Sequence, residues 1–427
     1  MKFRKTVAAA LLVLALAAAL AACGSSSSSS SSASSVGSAS NAAATVAKTS
    51  GPAFNLGAIC SCSGAQAAAL ANLKAVSQAW ADSVNAAGGV NGHPVNLTVL
   101  DDGGNPPTAL QDVKQLVESD HVQAIVSDGS LADNSWASYI AGKGVPVIGG
   151  LNPSVPFITN PDFFATGTTL PVETVGAAAL AKAAGKKTLG AMYCSETPLC
   201  AQVVPLAKGA AALSGLGFTA EAVSQTAPSY TAPCLALKSK GVDALFIAAN
   251  ASVVQRIVDA CAQQGYKPTV VNETATAGSN WLQDSNFDGA VLSSSNPGYT
   301  DSANPGVAAF LAALKKYAPS VQGSTTFSYD TIYPWIAGKL FEAAAKAGNL
   351  TPSSTPAQVK QALYKVNGTT LDGLAPPLTI TAGKPVFTAC YFGSTLKSGG
   401  YAPLNGGKPS CLTSAQATAL AAALKGA

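Results

Sequence analysis

The sequence predicts an α/β protein built as two doubly wound, parallel-sheet lobes, and three observations predict it. Short apolar runs alternate with stretches of helical spacing from about residue 54 to residue 271, which is the pattern of a parallel sheet. The alternation comes as two consecutive series of similar length, joined by segments that read as crossings and followed by a return. Polar, glycine-containing loops follow the apolar runs, and open parallel sheets carry their ligands at the carboxyl ends of the strands. Two such series imply two sheets with a cleft between them.

In the first series, Phe54 to Ile59 reads as a strand that ends in Ser61-Cys62-Ser63-Gly64. Leu70, Leu73, Val76, Trp80 and Val84 give Gln66 to Asn85 a helical period, closed by Gly88-Gly89. Asn91-Gly92-His93-Pro94 is turn chemistry, and Val95 to Leu100 is a largely buried strand stopped by Asp101-Asp102. Helical spacing from Thr108 to Glu118 follows. Gln123 to Val126 is the third strand and exits into Ser127-Asp128-Gly129-Ser130. A helix through Trp136 and Ile140 leads to the strand Val145 to Ile148, with Gly149 to Pro153 as its exit. Phe163 to Gly167 reads as a crossing.

The second series begins with a helix from Val172 to Ala184, then a strand Thr188 to Tyr193 and the loop Cys194 to Cys200. A helix to Gly217, a strand Thr219 to Val223, a helix Cys234 to Ser239 and an uninterrupted apolar strand Asp243 to Ile247 come next. Ser252 to Gln264 is helical, and Thr269 to Val271 is a strand with the exit Asn272-Glu273-Thr274. Gly289 to Ser293 reads as a segment crossing back. Pro305 to Tyr317 and Ser328 to Ala347 are helices, and the chain from about Gly373 is rich in Gly and Pro with strand-like pieces.

Composition narrows the function. The 427 residues are 48% apolar and only 11% charged, against about 25% charged in an average soluble protein. The formal net charge is +4, and Lys2, Arg4 and Lys5 lie in a leader, leaving the body at about +1. No basic stripe with interleaved aromatics is present, which argues against nucleic acid as a partner. Outside the leader, no apolar run reaches the roughly 18 residues of a membrane span.

That leader has a positive start (Met1 to Lys5), an apolar run (Val7 to Leu20) and then Leu20-Ala21-Ala22-Cys23-Gly24. It resembles the lipobox of bacterial lipoproteins, which implies lipidation of Cys23; an ordinary secretory signal is the weaker alternative. Ser25 to Ser32 and the Ser, Ala and Gly beyond them bury too little to fold. As a flexible coil, residues 24–52 would reach roughly 30 Å. The expectation is a body tethered to a membrane surface outside the cytoplasm.

Eight further cysteines in an oxidising compartment are candidates for up to four bridges. Nearness pairs Cys60 with Cys62, Cys194 with Cys200 and Cys390 with Cys411, which leaves Cys234 with Cys261. Connectivity stays open on sequence alone, and so does a redox-active rather than structural role for Cys60 and Cys62. Cys-x-Cys without a second pair, with His93 and His121 the only histidines, makes a poor metal site. No metal or cofactor is expected.

The order of pieces resembles the type I periplasmic binding proteins, specifically the leucine/isoleucine/valine-binding group that serves ABC transporters. The residues carrying the resemblance run from about Asn55 to Ile380. They include Asn55-Leu56-Gly57 with Ser63-Gly64, Asn85-Ala86-Ala87-Gly88-Gly89-Val90-Asn91-Gly92, Asp101-Asp102 and Val145-Pro146-Val147-Ile148. Phe164-Ala165-Thr166, Gly241-Val242-Asp243-Ala244 and Tyr329-Asp330 complete the series. The resemblance implies discontinuous lobes, 53–165 with 296–378 and 166–295 with 379–427, joined by a three-strand hinge. It also implies a small solute in the cleft. Ser63 lies in its Ser-Gly loop, and Ser130, Leu151 and Asn152 lie where the group holds a ligand carboxylate. Glu273 lies near its partner for the ligand ammonium. Asn250 stands where leucine binders carry an aromatic residue, and the loop after Tyr193 departs from their Tyr-Gly pattern.

Each of these residues has an ordinary reading as well. Ser130 can cap a helix, Glu273 can be a loop carboxylate, and Asp101, Asp102 and Asp128 can serve turns. Trp136, Trp281, Tyr193 and Tyr299 are candidates for the cleft wall or for the core. A hydrolase needs a nucleophile elbow or a paired acid and base, and no Gly-x-Ser-x-Gly or phosphate-cradling glycine motif is present. The reading is therefore not an enzyme but a lipid-anchored, monomeric binding component of an ABC importer. It would close over an amino acid or similar small polar solute and hand it to a membrane permease. The alternative is a ligand-sensing receptor domain that signals to a membrane partner.

Overall fold

The computed structural model describes residues 49 and 51–425, except residues 65–69, 153, 197–200, 202, 275–276, 278 and 398–399. Cys23, nearly all of the Ser-rich segment, Cys200 and the expected first turn at Gln66 lie outside the described residues.

Apolar runs flanked by polar turns do become parallel strands. β1 (Phe54–Cys60), β2 (Val95–Asp101), β3 (Ala124–Gly129), β4 (Val147–Gly150) and β5 (Phe163–Phe164) form one sheet in the order β2-β1-β3-β4-β5. Every pair in it is parallel. The helices between them are α1 (Leu73–Ala86), α2 (Pro106–Lys114), α3 (Ala137–Lys143) and α4 (Val155–Thr159). Asn105 starts α2 by accepting the Thr108 N–H, with Pro106 in the first turn.

The second series gives α5 (Leu170–Ala183), β6 (Thr188–Cys194), α6 (Val203–Leu213), β7 (Gly217–Val223), α7 (Thr231–Ser239), β8 (Ala244–Ala248), α8 (Ala251–Gln263), β9 (Thr269–Glu273) and β10 (Val291–Ser294). Its strands run parallel in the order β7-β6-β8-β9-β10. The chain then forms α9 (Pro305–Tyr317), α10 (Pro319–Gln322), α11 (Tyr333–Gly348) and α12 (Pro356–Leu363), followed by the ribbon β11 (Asn367–Thr369) and β12 (Leu378–Thr379). It ends with β13 (Cys390–Lys397), β14 (Gly400–Pro403), β15 (Ser410–Cys411) and α13 (Ser414–Lys425). β13 joins β10 antiparallel, so the tail completes the second sheet, while α11 packs back on β3 and β4 of the first.

Two segments expected as crossings are partly strand. Phe163 and Phe164 pair with Val147 and Ile148 as an edge strand before the chain leaves the sheet. Val291 to Ser294 pairs with both β9 and β13, since a fully buried four-residue run is most stable inside a sheet. The crossings themselves touch one another. Thr168 Oγ1 donates to the Thr388 carbonyl at 3.1 Å, and Asn296 Nδ2 donates to the Leu374 carbonyl at 3.0 Å. These contacts fit the three-strand hinge expected from the sequence.

Candidate functional site

Parallel pairing puts the exits of the first sheet side by side. Cys60 is in register with Asp101 and Gly129, and Asp128 with Gly150. A one-residue bulge in β3 follows Ile125, where Ser127 takes φ 84°, and it sets the aim of Asp128. At Gly150 (φ 137°) a Cβ would fall 2.0 Å from the Asp128 carbonyl oxygen, so only glycine allows the two strand ends to approach this closely.

Asp102 is the hub of this edge. Its Oδ1 accepts from Ser61 Oγ at 2.6 Å and from the Gly104 N–H at 2.7 Å, and its Oδ2 accepts from Ser130 Oγ. Ser61 Oγ in turn accepts the Leu131 N–H at 3.0 Å, and Ser130 Oγ accepts the Ala132 N–H at 3.1 Å. The Ser130 N–H donates to Asp128 Oδ1 at 3.0 Å, and the Leu151 N–H to the Asp128 carbonyl at 2.8 Å. The Asn152 N–H donates to the Gly150 carbonyl at 2.9 Å, and its side-chain carbonyl accepts the Thr166 N–H at 3.1 Å. Its buried Nδ2 has no partner. Burial, reinforced by the Asp133 charge, raises the Asp128 carboxyl well above its usual range; burial likewise raises Asp133. Ser63 is exposed, its N–H donating to Asp101 Oδ1 at 3.1 Å.

At the second sheet, Glu273 closes β9 and is buried, accepting from Thr174 Oγ1 at 2.5 Å. Burial lifts it to about 7. Glu173, one residue earlier on α5, is also buried. Its carboxyl is hydrogen-bonded to Ser295 and is raised well above the usual range, first by burial, then by Glu273 and Asp330. Asp330, which precedes α11, is lifted to about 7 by its surroundings. Ser295 Oγ lies 3.5 Å from Tyr333 Oη, whose own ionisation is pushed far up by burial, Asp330 and Glu173. Carboxylates from the second half (Glu173, Glu273) and from the segment leading into α11 (Asp330) thus meet at the crossings.

Tyr193 is half-buried at the end of β6. Asn250 caps α8 by accepting the Val253 N–H and also donates to Gln225 Oε1 at 3.0 Å. Trp136 and Trp281 are fully buried and stack on Phe163 and Phe287, and Tyr299 packs edge-on against Phe327, so these three serve the core. Cys60 is bridged to Cys62, Cys234 to Cys261 across α7 and α8, and Cys390 to Cys411 across β13 and β15. Cys194 is also disulfide-bonded. Among the described residues, no three His, Cys, Asp or Glu side chains are grouped to hold a metal ion, and no helix is long and apolar enough to cross a membrane.

Sequence reasoning passed over Glu173, Ser61, Ser295 and Tyr333. Glu173 carried one signal: α5 is apolar on nearly every face, so an acidic residue within it has no route to water.

A family model described as "Periplasmic binding protein" matches residues 53–401. The chain belongs to that family, an extracytoplasmic family of solute-binding rather than catalytic proteins. Among solved structures it is similar to a branched chain amino acid ABC transporter protein from Thermus thermophilus with bound valine (18% identity, 85% of this chain and 97% of that one covered, TM-score 0.70). It is also similar to a fatty acid ABC transporter substrate-binding protein from Thermomonospora curvata (18%, 87% and 95%, TM-score 0.68). A third is an ABC transporter solute-binding protein from R. palustris in complex with benzoate (14%, 85% and 98%, TM-score 0.64). No curated protein matches the sequence significantly.

Proposed function

We propose that this chain is the lipid-anchored, monomeric binding component of an ABC importer. It closes two lobes, 53–165 with 296–378 and 166–295 with 379–427, over an amino acid or a similar small polar solute. It then presents that solute to a membrane permease. The observation that carries the reading is the meeting, at three touching crossings, of two parallel sheets whose strand exits hold buried polar groups. The similar proteins bind solutes as unlike as valine and benzoate, so kinship alone does not select a ligand. Zwitterion capture at Glu273 would use a charge-assisted hydrogen bond, about twice as strong as a neutral one.

Thermal-shift screening of the full chain against amino acids, amides, amines and small carboxylates tests the reading. The expected outcome is a stabilising solute whose affinity drops at least tenfold in Glu273→Gln. No stabilising solute, or an unchanged affinity in that variant, refutes the assignment. The anchor has its own test: wild-type protein is expected to sediment with membranes and Cys23→Ala to remain in the soluble fraction.

A further inference from the structure

We propose that the Cys60–Cys62 bridge is a thiol–disulfide exchange site. A dithiol reductant opens it, and opening it loosens the strand exits at which the solute is proposed to bind. This is a regulation of the site read above as solute-binding, and it rests on that reading only for the purpose the exits serve. Two observations lead to it: how little the bridge ties together, and what it holds in place.

Cys234 and Cys261 join α7 to α8 over a separation of 27 residues, and Cys390 and Cys411 join β13 to β15 over 21. Cys60 and Cys62 are separated by 2, have Cα atoms 5.2 Å apart and enclose only Ser61. A bridge constrains the unfolded chain less when the loop it closes is shorter, so of these three this one adds least to stability. Opening it leaves the fold standing, and the same nearness returns the two thiols to each other once the reductant is gone. Access favours attack at one end. Cys60 is buried with Leu70 and Leu73, whereas Cys62 is half-buried where the polar loop begins. The thiolate of a dithiol attacks the Cys62 sulfur, the S–S bond breaks, and its electron pair leaves on the Cys60 sulfur, which takes up a proton. The second thiol of the reductant loses its proton and attacks the mixed disulfide. The reductant then departs as a cyclic disulfide, and Cys62 leaves as a thiolate and is protonated. Two electrons have passed from the dithiol to the protein, and two cysteine thiols replace the bridge.

Ser61, inside the ring, connects the bridge to the site. Its N–H donates to the Gly129 carbonyl at 3.0 Å, and its hydroxyl donates to Asp102 at 2.6 Å while accepting the Leu131 N–H at 3.0 Å. The Cys60 carbonyl accepts the Asp102 N–H at 2.9 Å. Leu151, at the exit of β4, packs with Cys62 and Val99 on the cluster of Cys60, Leu70 and Leu73. The exits of β2, β3 and β4 therefore all lean on the residues of this ring. Beyond it the loop is held by the exposed Ser63 N–H on Asp101 and by the approach of Gly64 to the Gly103 carbonyl oxygen, where a Cβ would fall at 2.3 Å. With the bridge open, the ring no longer fixes the backbone angles of Ser61. Its hydroxyl then loses the aim that serves Asp102 and Leu131 together.

The test uses the full chain without solute. Dithiothreitol is titrated in, free thiols are trapped with iodoacetamide, and the labelled peptides are identified by mass spectrometry. Hydrogen exchange follows the Leu131 and Gly104 N–H groups, which donate to Ser61 and Asp102. Cys60 and Cys62 are expected to label at a dithiothreitol concentration about tenfold below the one that labels Cys234, Cys261, Cys390 and Cys411. At that point the Leu131 N–H is expected to exchange about tenfold faster, with protection of β6 and β8 unchanged and reoxidation restoring the original rate. The double variant Cys60→Ala, Cys62→Ala is expected to show the fast exchange without reductant; if it fails to fold, the titration of the wild type decides alone. Labelling of Cys390 and Cys411 at the same or a lower concentration overturns the proposal. So does unchanged exchange at Leu131 after the bridge has opened, or loss of protection throughout the molecule. None of these outcomes touches the solute-binding reading, which fails separately if the thermal-shift screen finds no stabilising solute.

Discussion

Glu173, Glu273 and Asp330 share a condition that a single measurement can expose. Glu273 is lifted from an ordinary 4.5 to about 7, and Asp330 from 3.8 to about 7. Between those limits the folded protein keeps protons that the unfolded chain has released, so stability falls as pH rises. Glu173, Asp128 and Asp133 are shifted in the same direction. For Glu273 alone the difference is on the order of 3 kcal/mol, at about 1.4 kcal/mol per pKa unit. The melting temperature of the ligand-free protein is therefore expected to be highest near pH 5 and to fall toward pH 8, with a shallower fall in Glu273→Gln. A melting temperature that climbs over that interval contradicts the burial argument.

How much of this was legible in the sequence depends on how local the cause is. The helix at Pro305 was readable to the residue, because Asn304-Pro305 fixes its start by a side-chain cap and a preset backbone angle; the one expected from Thr108 starts at Pro106, and α12, capped in the same way by Thr355-Pro356, was passed over. The buried strands were readable as unbroken apolar runs, though β3 and β9 extend farther than expected, through Gly129 and Glu273. Their polar ends look like loop in sequence and become strand only because a neighbouring exit supplies hydrogen bonds. The bulge at Ser127 left no local trace. Nor did the contact at Gly338 of α11, where a Cβ would fall 2.1 Å from the Trp80 ring and only a side-chain-free position lets α11 lie on α1. Glu273 was found by resemblance and Asp330 was noticed without a role. The use of Ser130 as a donor to Asp102 was not legible, because it depends on β2 and β3 ending beside β1, which is a tertiary fact.

The crossings join the two sheets, so a small change there should alter binding without touching a solute. Gly167 lies where two crossings approach closely. A Cβ at this position would lie 2.8 Å from Ser295 Cβ and 2.9 Å from the Ser295 carbonyl oxygen, with Asn152 Nδ2 at 3.2 Å. The two Ser295 atoms are not free side-chain ends, so the strain must move one crossing relative to the other. Ser295 also hydrogen-bonds Glu173 and approaches Tyr333, so that movement displaces the carboxyl cluster. Overpacking of this kind costs about 1–3 kcal/mol. Gly167→Ala is therefore expected to lower the melting temperature and weaken solute binding several-fold at unchanged stoichiometry. Gly142→Ala, where the added methyl meets nothing within 4 Å, is expected to leave binding as it is. Were the two substitutions to weaken binding equally, or were Gly167→Ala to bind like the wild type, the crossings would be mere connectors, and the selectivity of the site would have to reside within a single lobe.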